Sequence, residues 1–317
     1  PKLMEGSLWR YQGNSPVYSE LNTGDWWKTA DITLEQRLRK HSVSDVGNHY
    51  VAPILMFIDA THCDRNGRLQ AEPVLCSFGN IPLSQRKLPH AWFFLGLLPR
   101  KHGTPAERTA QKKGKGLRAS LAERYHECLR EIFSELITLQ QKDRNSGSGV
   151  AIHVHGKGVI RLHFEMCLII GDTVGHDALC CHTQAYSKRV PRPVRSCNVG
   201  WEDLDDPTVL CQFVSNDDVV GVVEACIHNI KSRHKVEDNR ELCRSLSQLL
   251  HVPIFNEMLF GGDKGGIFKA TPFEVLHTLF LGILKYTLQS LYDYTVLVDV
   301  KAAPTEEQNN NGPAPTA

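Results

Sequence analysis

Two aspartates in this sequence share a context that chemistry can use. Asp59 closes the apolar run APILMFIDA (52–60), and Asp172 closes GVIRLHFEMCLIIGD (158–172). An apolar strand that ends abruptly in Asp delivers a carboxylate to the end of a sheet, where a ligand can reach it. Two carboxylates brought to one point repel each other unless a cation stands between them, and that arrangement serves metal-assisted phosphoryl transfer. Mg²⁺ (or Mn²⁺) needs few protein carboxylates, because water and substrate phosphate complete its octahedron. The competing reading of either residue is a turn cap, a common role for Asp.

Softer ligands crowd the stretch with Cys180, Cys181, His182, Cys197 and Cys211. Zinc takes four ligands, usually in pairs two to four residues apart. No C-x-x-C occurs there, and Cys180-Cys181-His182 is too tight for an ordinary pair, so reduced cysteines in a packed insertion are the expectation. Glu274 and His277 lie three apart on one helix face. Glu274 also fits the N3 place of a capping box that opens at Thr271-Pro272, and His277 fits a core histidine beside Leu276 and Leu279. His153, His155 and His163 alternate on strands and read as half-exposed.

Residues 100–118 carry seven Lys or Arg and one Glu. Such a run is a solvated loop or a phosphate contact, with Lys112, Lys113, Lys115 and Arg118 as its candidate DNA ligands. GGDKGG (261–266) lacks the G-x-x-x-x-G-K-[ST] spacing of a phosphate loop and reads as a flexible loop. No G-x-S-x-G occurs to support a serine nucleophile.

The elements that must position these groups follow from periodicity. Short apolar runs at 52–60, 74–78 and 91–98, separated by turns, read as three strands. Residues 119–142 hold no Gly or Pro, and their apolar residues recur at helical spacing. Two further strands follow, 150–155 and 158–172, then a polar Cys/His/Pro-rich stretch, a mostly helical 219–250 and a second amphipathic helix over 271–292. The lead-in is expected to hold one helix near 34–41. The tail, AAPTEEQNNNGPAPTA, reads as disordered.

Composition narrows the classes. The 317 residues are 41% hydrophobic and 22% charged, with a net charge of +1. No global field draws the chain to DNA or to an anionic membrane, so a nucleic-acid surface must be a local patch. No run approaches the roughly 18 apolar residues of a membrane span. Ten cysteines without scaffold spacing point to a reducing compartment, cytosol or nucleus. The chain begins at Pro1 without a hydrophobic leader and is expected to be a fragment.

Four pieces together resemble the transposases of CACTA-like DNA transposons, the Plavaka-type group in particular: PVYSELNTGDWW (16–27), PILMFIDATHCDRNGRLQAEPVLCSFGNIPLSQR (53–86), IIGDTVGHDALCCH (169–182) and TPFEVLHTLFLGILKY (271–286). The resemblance runs over about residues 15–292. It implies an α/β fold with an RNase H-like mixed sheet, flanking helices and a Cys/His-containing, largely helical insertion. It implies a DDE-type core that cuts and joins DNA at transposon ends with Mg²⁺ (or Mn²⁺), acting in the nucleus, with a homo-oligomer as a candidate assembly. Asp59 matches the first acid of the family and Asp172 the second. The insertion's zinc pairs are altered here: the first keeps only Cys197, and the later one becomes Glu274-x-x-His277. The third acid is expected on a helix beyond, and Glu274 is the best acid left, so the resemblance implies a truncated or decayed core.

The expected organisation is a lead-in over 1–50, a core over 51–172 with both aspartates, an insertion and helical region over 173–292, and a disordered tail over 293–317. The rival reading is a catalytically inactive DNA- or protein-binding module derived from a transposase. A stand-alone nuclease has no motif of its own here.

Overall fold

The computed structural model describes residues 6, 8, 11–12, 15–16, 19–62, 70–98, 117–182, 216–232, 243, 248–271, 288 and 292. The chain divides into two compact units, Pro1–Pro272 and Phe273–Ala317. The first holds the sheet. In the second, Leu288 and Tyr292 are helical and exposed, and the rest of the expected 271–292 helix and the tail lie outside the described residues.

After a two-residue pairing of β1 (Tyr11–Gln12) with β2 (Ser15–Pro16), helix α1 spans Asp25–Lys40. It begins nine residues before the expected start at 34. The reason is burial: Trp27, Ala30, Leu34 and Leu38 form one buried stripe, with Trp27 fully inaccessible. Asp25 in its first turn and Arg37, Arg39 and Lys40 in its last suit the helix dipole.

Strands β3 (His49–Ile58), β5 (Gln70–Phe78) and β6 (Phe93–Leu98) pair antiparallel in sequence, with short β4 (Thr61–His62) between the first two. A four-residue helix, α2 (Leu83–Arg86), joins β5 to β6. Helix α3 (Leu117–Ser146) then crosses over to the hairpin of β7 (Val150–Val154) and β8 (Gly158–Ile170). Strand β8 pairs parallel with β3, giving the main sheet the order β6-β5-β3-β8-β7. A near-continuous apolar β3 is what a central strand covered on both faces requires.

One face of the sheet carries Ile54, Met56, Ile58, Val74, Met166 and Ile169, packed with Tyr125, Leu129, Phe133 and Ile137 of α3. Val51 joins the α1 stripe in a separate cluster. Beyond β8 come α4 (Thr173–Leu179), α5 (Asn216–Lys231) and α6 (Ile267–Ala270). Within the stretch expected to be mostly helical, 219–250, α5 accounts for the part up to Lys231.

Two local expectations are corrected. His163 is completely buried rather than half-exposed, because it enters a charged cluster: its Nδ1 lies 2.9 Å from the Asp143 carboxylate and its Nε2 2.7 Å from His49 Nδ1. Arg37 of α1 binds both Asp143 of α3 and Glu165 of β8. The GGDKGG stretch is a built turn rather than a flexible loop. Trp26 Nε1 donates to the Phe260 carbonyl at 3.2 Å, and the Gly261 amide donates to Glu165 at 2.9 Å. Gly261 takes φ 64° in a place where a Cβ would strike Trp26 and Ala30, so glycine is required there.

Candidate active site at the carboxyl ends of two parallel strands

Register sets the two strand-terminal aspartates at corresponding positions on adjacent strands. The last partners of the parallel β3–β8 ladder are Phe57 and Ile170. Two residues further along each strand stand Asp59 and Asp172. Neighbouring parallel strands run about 4.8 Å apart, and residues at matching positions share a face. Asp59 and Asp172 therefore occupy corresponding positions just past the ends of adjacent strands. The backbones stay close there, since a Cβ at Gly171 would collide with the Ile58 carbonyl oxygen. Both aspartates are partly buried.

The ladder of β3 with β5 keeps one register across Asp59. Ile58 faces Val74 before it, and Thr61 of β4 faces Ala71 after it. Strand β4 is thus the continuation of β3 after a two-residue break at Asp59 and Ala60. In that register Asp59 stands opposite Pro73 and Ala60 opposite Glu72. Glu72 is buried and accepts a 2.6 Å hydrogen bond from the Tyr125 hydroxyl of α3. Burial first, then Glu72 and Asp172, raise the Tyr125 hydroxyl pKa well above its usual value, so the phenol remains a donor. A third carboxyl group accordingly belongs to this end of the sheet, within the field of the same tyrosine as Asp172.

Asp172 also has the turn-cap role weighed for it. Its carboxylate accepts from the Gly175 amide as the N-cap of α4. The cap fixes one carboxylate oxygen, Oδ1. A carboxylate has two oxygens and about four acceptor sites, so capping and metal binding are compatible at one residue.

The other site residues singled out in the sequence are not brought to this place by anything described. Lys112, Lys113, Lys115, Cys197, Glu274 and His277 lie outside the described residues. Arg118 is in the first turn of α3, and its side chain lies outside the description.

Sequence reasoning missed Glu72 and Tyr125. The signal was a lone Glu in the otherwise apolar run EPVLCSF (72–78), since a buried acid is the informative exception in a strand. It also missed a group of soft ligands, in which His126 of α3, Cys181 just after α4 and His251 place their ligand atoms within 4.8 Å of one another. Their separations in the chain, 55 residues between His126 and Cys181 and 70 between Cys181 and His251, match no ligand spacing that a motif would reveal.

None of the described helices is long and apolar enough to cross a membrane. Residues 7–289 match the family model described as Plavaka transposase. No curated protein matches the chain.

Proposed function

Because the chain belongs to the Plavaka transposase family, we propose that it is a DDE-type transposase core of RNase H-like fold, with Asp59 and Asp172 as its first two catalytic acids. One observation carries this reading: the two aspartates hold matching positions past the ends of adjacent parallel strands. The strand order supports the fold assignment. Three antiparallel strands, a helix and a strand parallel to the first follow the RNase H order, with β7 as an added hairpin strand beyond β8.

The donor set fits a hard divalent cation. Oxygen ligands from two carboxylates are what Mg²⁺ or Mn²⁺ takes from protein, with water and phosphate completing the sphere. Bound at Asp59 and Asp172, the metal would supply Lewis-acid activation of the attacking oxygen and charge stabilisation at the leaving one. The chain's own residues do the positioning. The β3–β8 ladder sets the separation of the acids, and the α4 cap holds one oxygen of Asp172 in place. The Tyr125–Glu72 bond keeps a second acid-bearing element packed beside them. Glu274 is the proposed third acid. Zinc at Cys197 and His277 belongs to the same reading of the insertion.

DNA is the partner, as membership of a transposase family implies, and the transposon ends are the proposed substrate. Lys112, Lys113, Lys115 and Arg118 are the proposed phosphate contacts, a local patch on a chain of net charge +1. The nucleus is the proposed place of action.

The test is strand cleavage of DNA carrying matched transposon ends, with Mg²⁺ or Mn²⁺, alongside DNA binding by the same preparations. Removing one charge-stabilising group from such a site costs on the order of a hundred-fold or more in rate. Asp59→Asn and Asp172→Asn are each expected to lose cleavage by at least that factor while retaining DNA binding. Cleavage that survives both substitutions would overturn the assignment. A folded wild type that binds DNA without cutting it would favour the inactive binding module instead.

A further inference from the structure

We propose that His126, Cys181 and His251 form a structural zinc site, independent of the carboxylates at the strand ends and of Cys197 and His277. The three ligand atoms lie within 4.8 Å of one another, and Cys181 Sγ is 3.0 Å from His126 Nε2. Bond lengths of 2.3 Å to sulfur and 2.0–2.1 Å to nitrogen put the ligand atoms of a tetrahedral zinc roughly 3.3–3.8 Å apart. Small ring movements reach that spacing from the observed one. Two imidazoles and one thiolate leave the fourth position to water or to another ligand, and this mixed N/S set suits zinc among the divalent ions.

One further feature points to a ligand here. His251 Nε2 is buried and has no hydrogen-bond partner among the described residues. A buried polar atom left unsatisfied is costly and calls for an explanation. Cys181 is the left-handed residue that ends α4, at φ 55°, with its amide donating to the Ala178 carbonyl at 3.2 Å and the His182 amide to the Asp177 carbonyl at 2.7 Å. That helix end fixes the backbone of Cys181, whose thiol meets His126.

The site is also held in place by the backbone. The Leu249 amide donates to the Cys181 carbonyl at 2.8 Å, and His182 bridges to Gln248, so the segments carrying Cys181 and His251 are already paired. His126 is buried on a helix that also packs against the main sheet. Neutral imidazole is the form that binds metal.

Loading is a balanced exchange. Zinc displaces the thiol proton of Cys181, which leaves to solvent as a zinc–sulfur bond forms. At His126, Nε2 faces the Ala178 carbonyl at 3.1 Å and Nδ1 faces the Ile254 amide at 3.4 Å. Coordination through Nε2 moves that ring's proton to Nδ1, so the long contact from Ile254 gives way. The metal would tie α3 to the turn after α4 and to the segment entering the 254–257 turn. Since Asp172 caps the other end of α4, the site would anchor the short helix that begins at the second acid.

The experiment uses the full chain, purified without chelator. Zinc content is measured per chain, and Co²⁺ is titrated into the zinc-stripped protein while absorbance is followed. In the Cys197→Ser/His277→Gln background, which removes the other proposed zinc ligands, one zinc per chain is expected, and the cobalt form is expected to show a thiolate-to-cobalt charge-transfer band. In that background Cys181→Ser should abolish the band, and His251→Gln, a change at a half-buried ring, should weaken cobalt binding by ten-fold or more. Adding Cys128→Ser to the same background should leave both unchanged. The proposal is overturned by folded wild type that binds neither metal, by a band that survives Cys181→Ser, or by metal that is lost only when Cys197 and His277 are changed. None of these outcomes depends on DNA cleavage, so the site and the transposase reading stand or fall separately.

Discussion

The same two strands carry charge at both ends, and the two ends are built on opposite rules. Along the amino-terminal half of β3 and its partner in β8, acids are matched with bases. Arg37 bridges Asp143 and Glu165, and His163 links Asp143 to His49. Burial alone would pull the Arg37 pKa down and push the Asp143 pKa up. The ion pairs outweigh it, so Arg37 sits above its usual value and Asp143 below. At the carboxyl ends, Asp59 and Asp172 stand at corresponding positions past adjacent parallel strands, and the neighbouring strand carries the buried Glu72, which accepts from Tyr125. Opposite charges closed on themselves hold a fold together. Like charges brought together at an accessible strand end cost stability and are characteristic of sites that bind something positive.

The strongest way to test the contrast is to break the matched end. Arg37→Met leaves Asp143 and Glu165 buried without their cation, and a broken buried pair costs about 3–5 kcal/mol. The urea midpoint should fall accordingly, and adding Glu165→Gln should recover part of the loss by removing one stranded charge. A loss below about 1 kcal/mol would make this end no different from a surface ion pair.

A smaller effect appears on acidification. The folded Asp143 carboxyl lies below its usual 3.8. Its contribution to stability is present above that value and is lost as pH falls through the lower folded one. Glu165 has the opposite sign: burial raises it above 4.5, and Arg37 and the Gly261 amide offset this only in part. Its contribution is present below 4.5 and is lost as pH rises through the raised value. Asp143→Asn should therefore flatten the acid limb of stability between roughly pH 5 and pH 2. Glu165→Gln should flatten the loss on the rising side instead. Urea midpoints from pH 2 upward through the raised Glu165 value read both, and equal acid limbs in wild type and Asp143→Asn would remove Asp143 from the account.

The smallest effect is expected at the other end. If Asp59 is a metal-binding acid, Asp59→Asn should leave stability unchanged or raise it by up to about 1 kcal/mol, the usual sign where stability has been given up for activity. A loss as large as that of Arg37→Met would show that Asp59 is structural.

Some of this was legible in the sequence, and the boundary is physical. Strands β3 and β8 were readable because a strand buried on both faces is a continuous apolar run, and the amphipathic stripe of α3 was equally plain. The strand-terminal positions of Asp59 and Asp172 followed from those runs, and the family from motifs spread along them. The early start of α1 was hidden because Trp26 and Trp27 are committed by packing rather than by a local pattern. His163 and Glu165 looked like ordinary strand residues. Their partners lie far away in sequence, Arg37 being 106 residues from Asp143 and 128 from Glu165. Spacing rules see pairs on one element. They do not see a charge closed across four elements, nor His and Cys side chains gathered from a helix, a turn and a loop.

The break between β3 and β4 carries a consequence for how this chain can vary. Strand β5 holds Ile58 on one side of the break and Thr61 on the other in a single register, so the intervening Asp59 and Ala60 form a spacer of fixed length. Substitutions there change chemistry and leave the ladder intact. A one-residue insertion or deletion does not have that freedom, since it must either bulge the backbone at the acid or slip β4 against β5 and turn every following side chain to the other face. Among descendants of this sequence, the segment should tolerate altered letters far better than altered length.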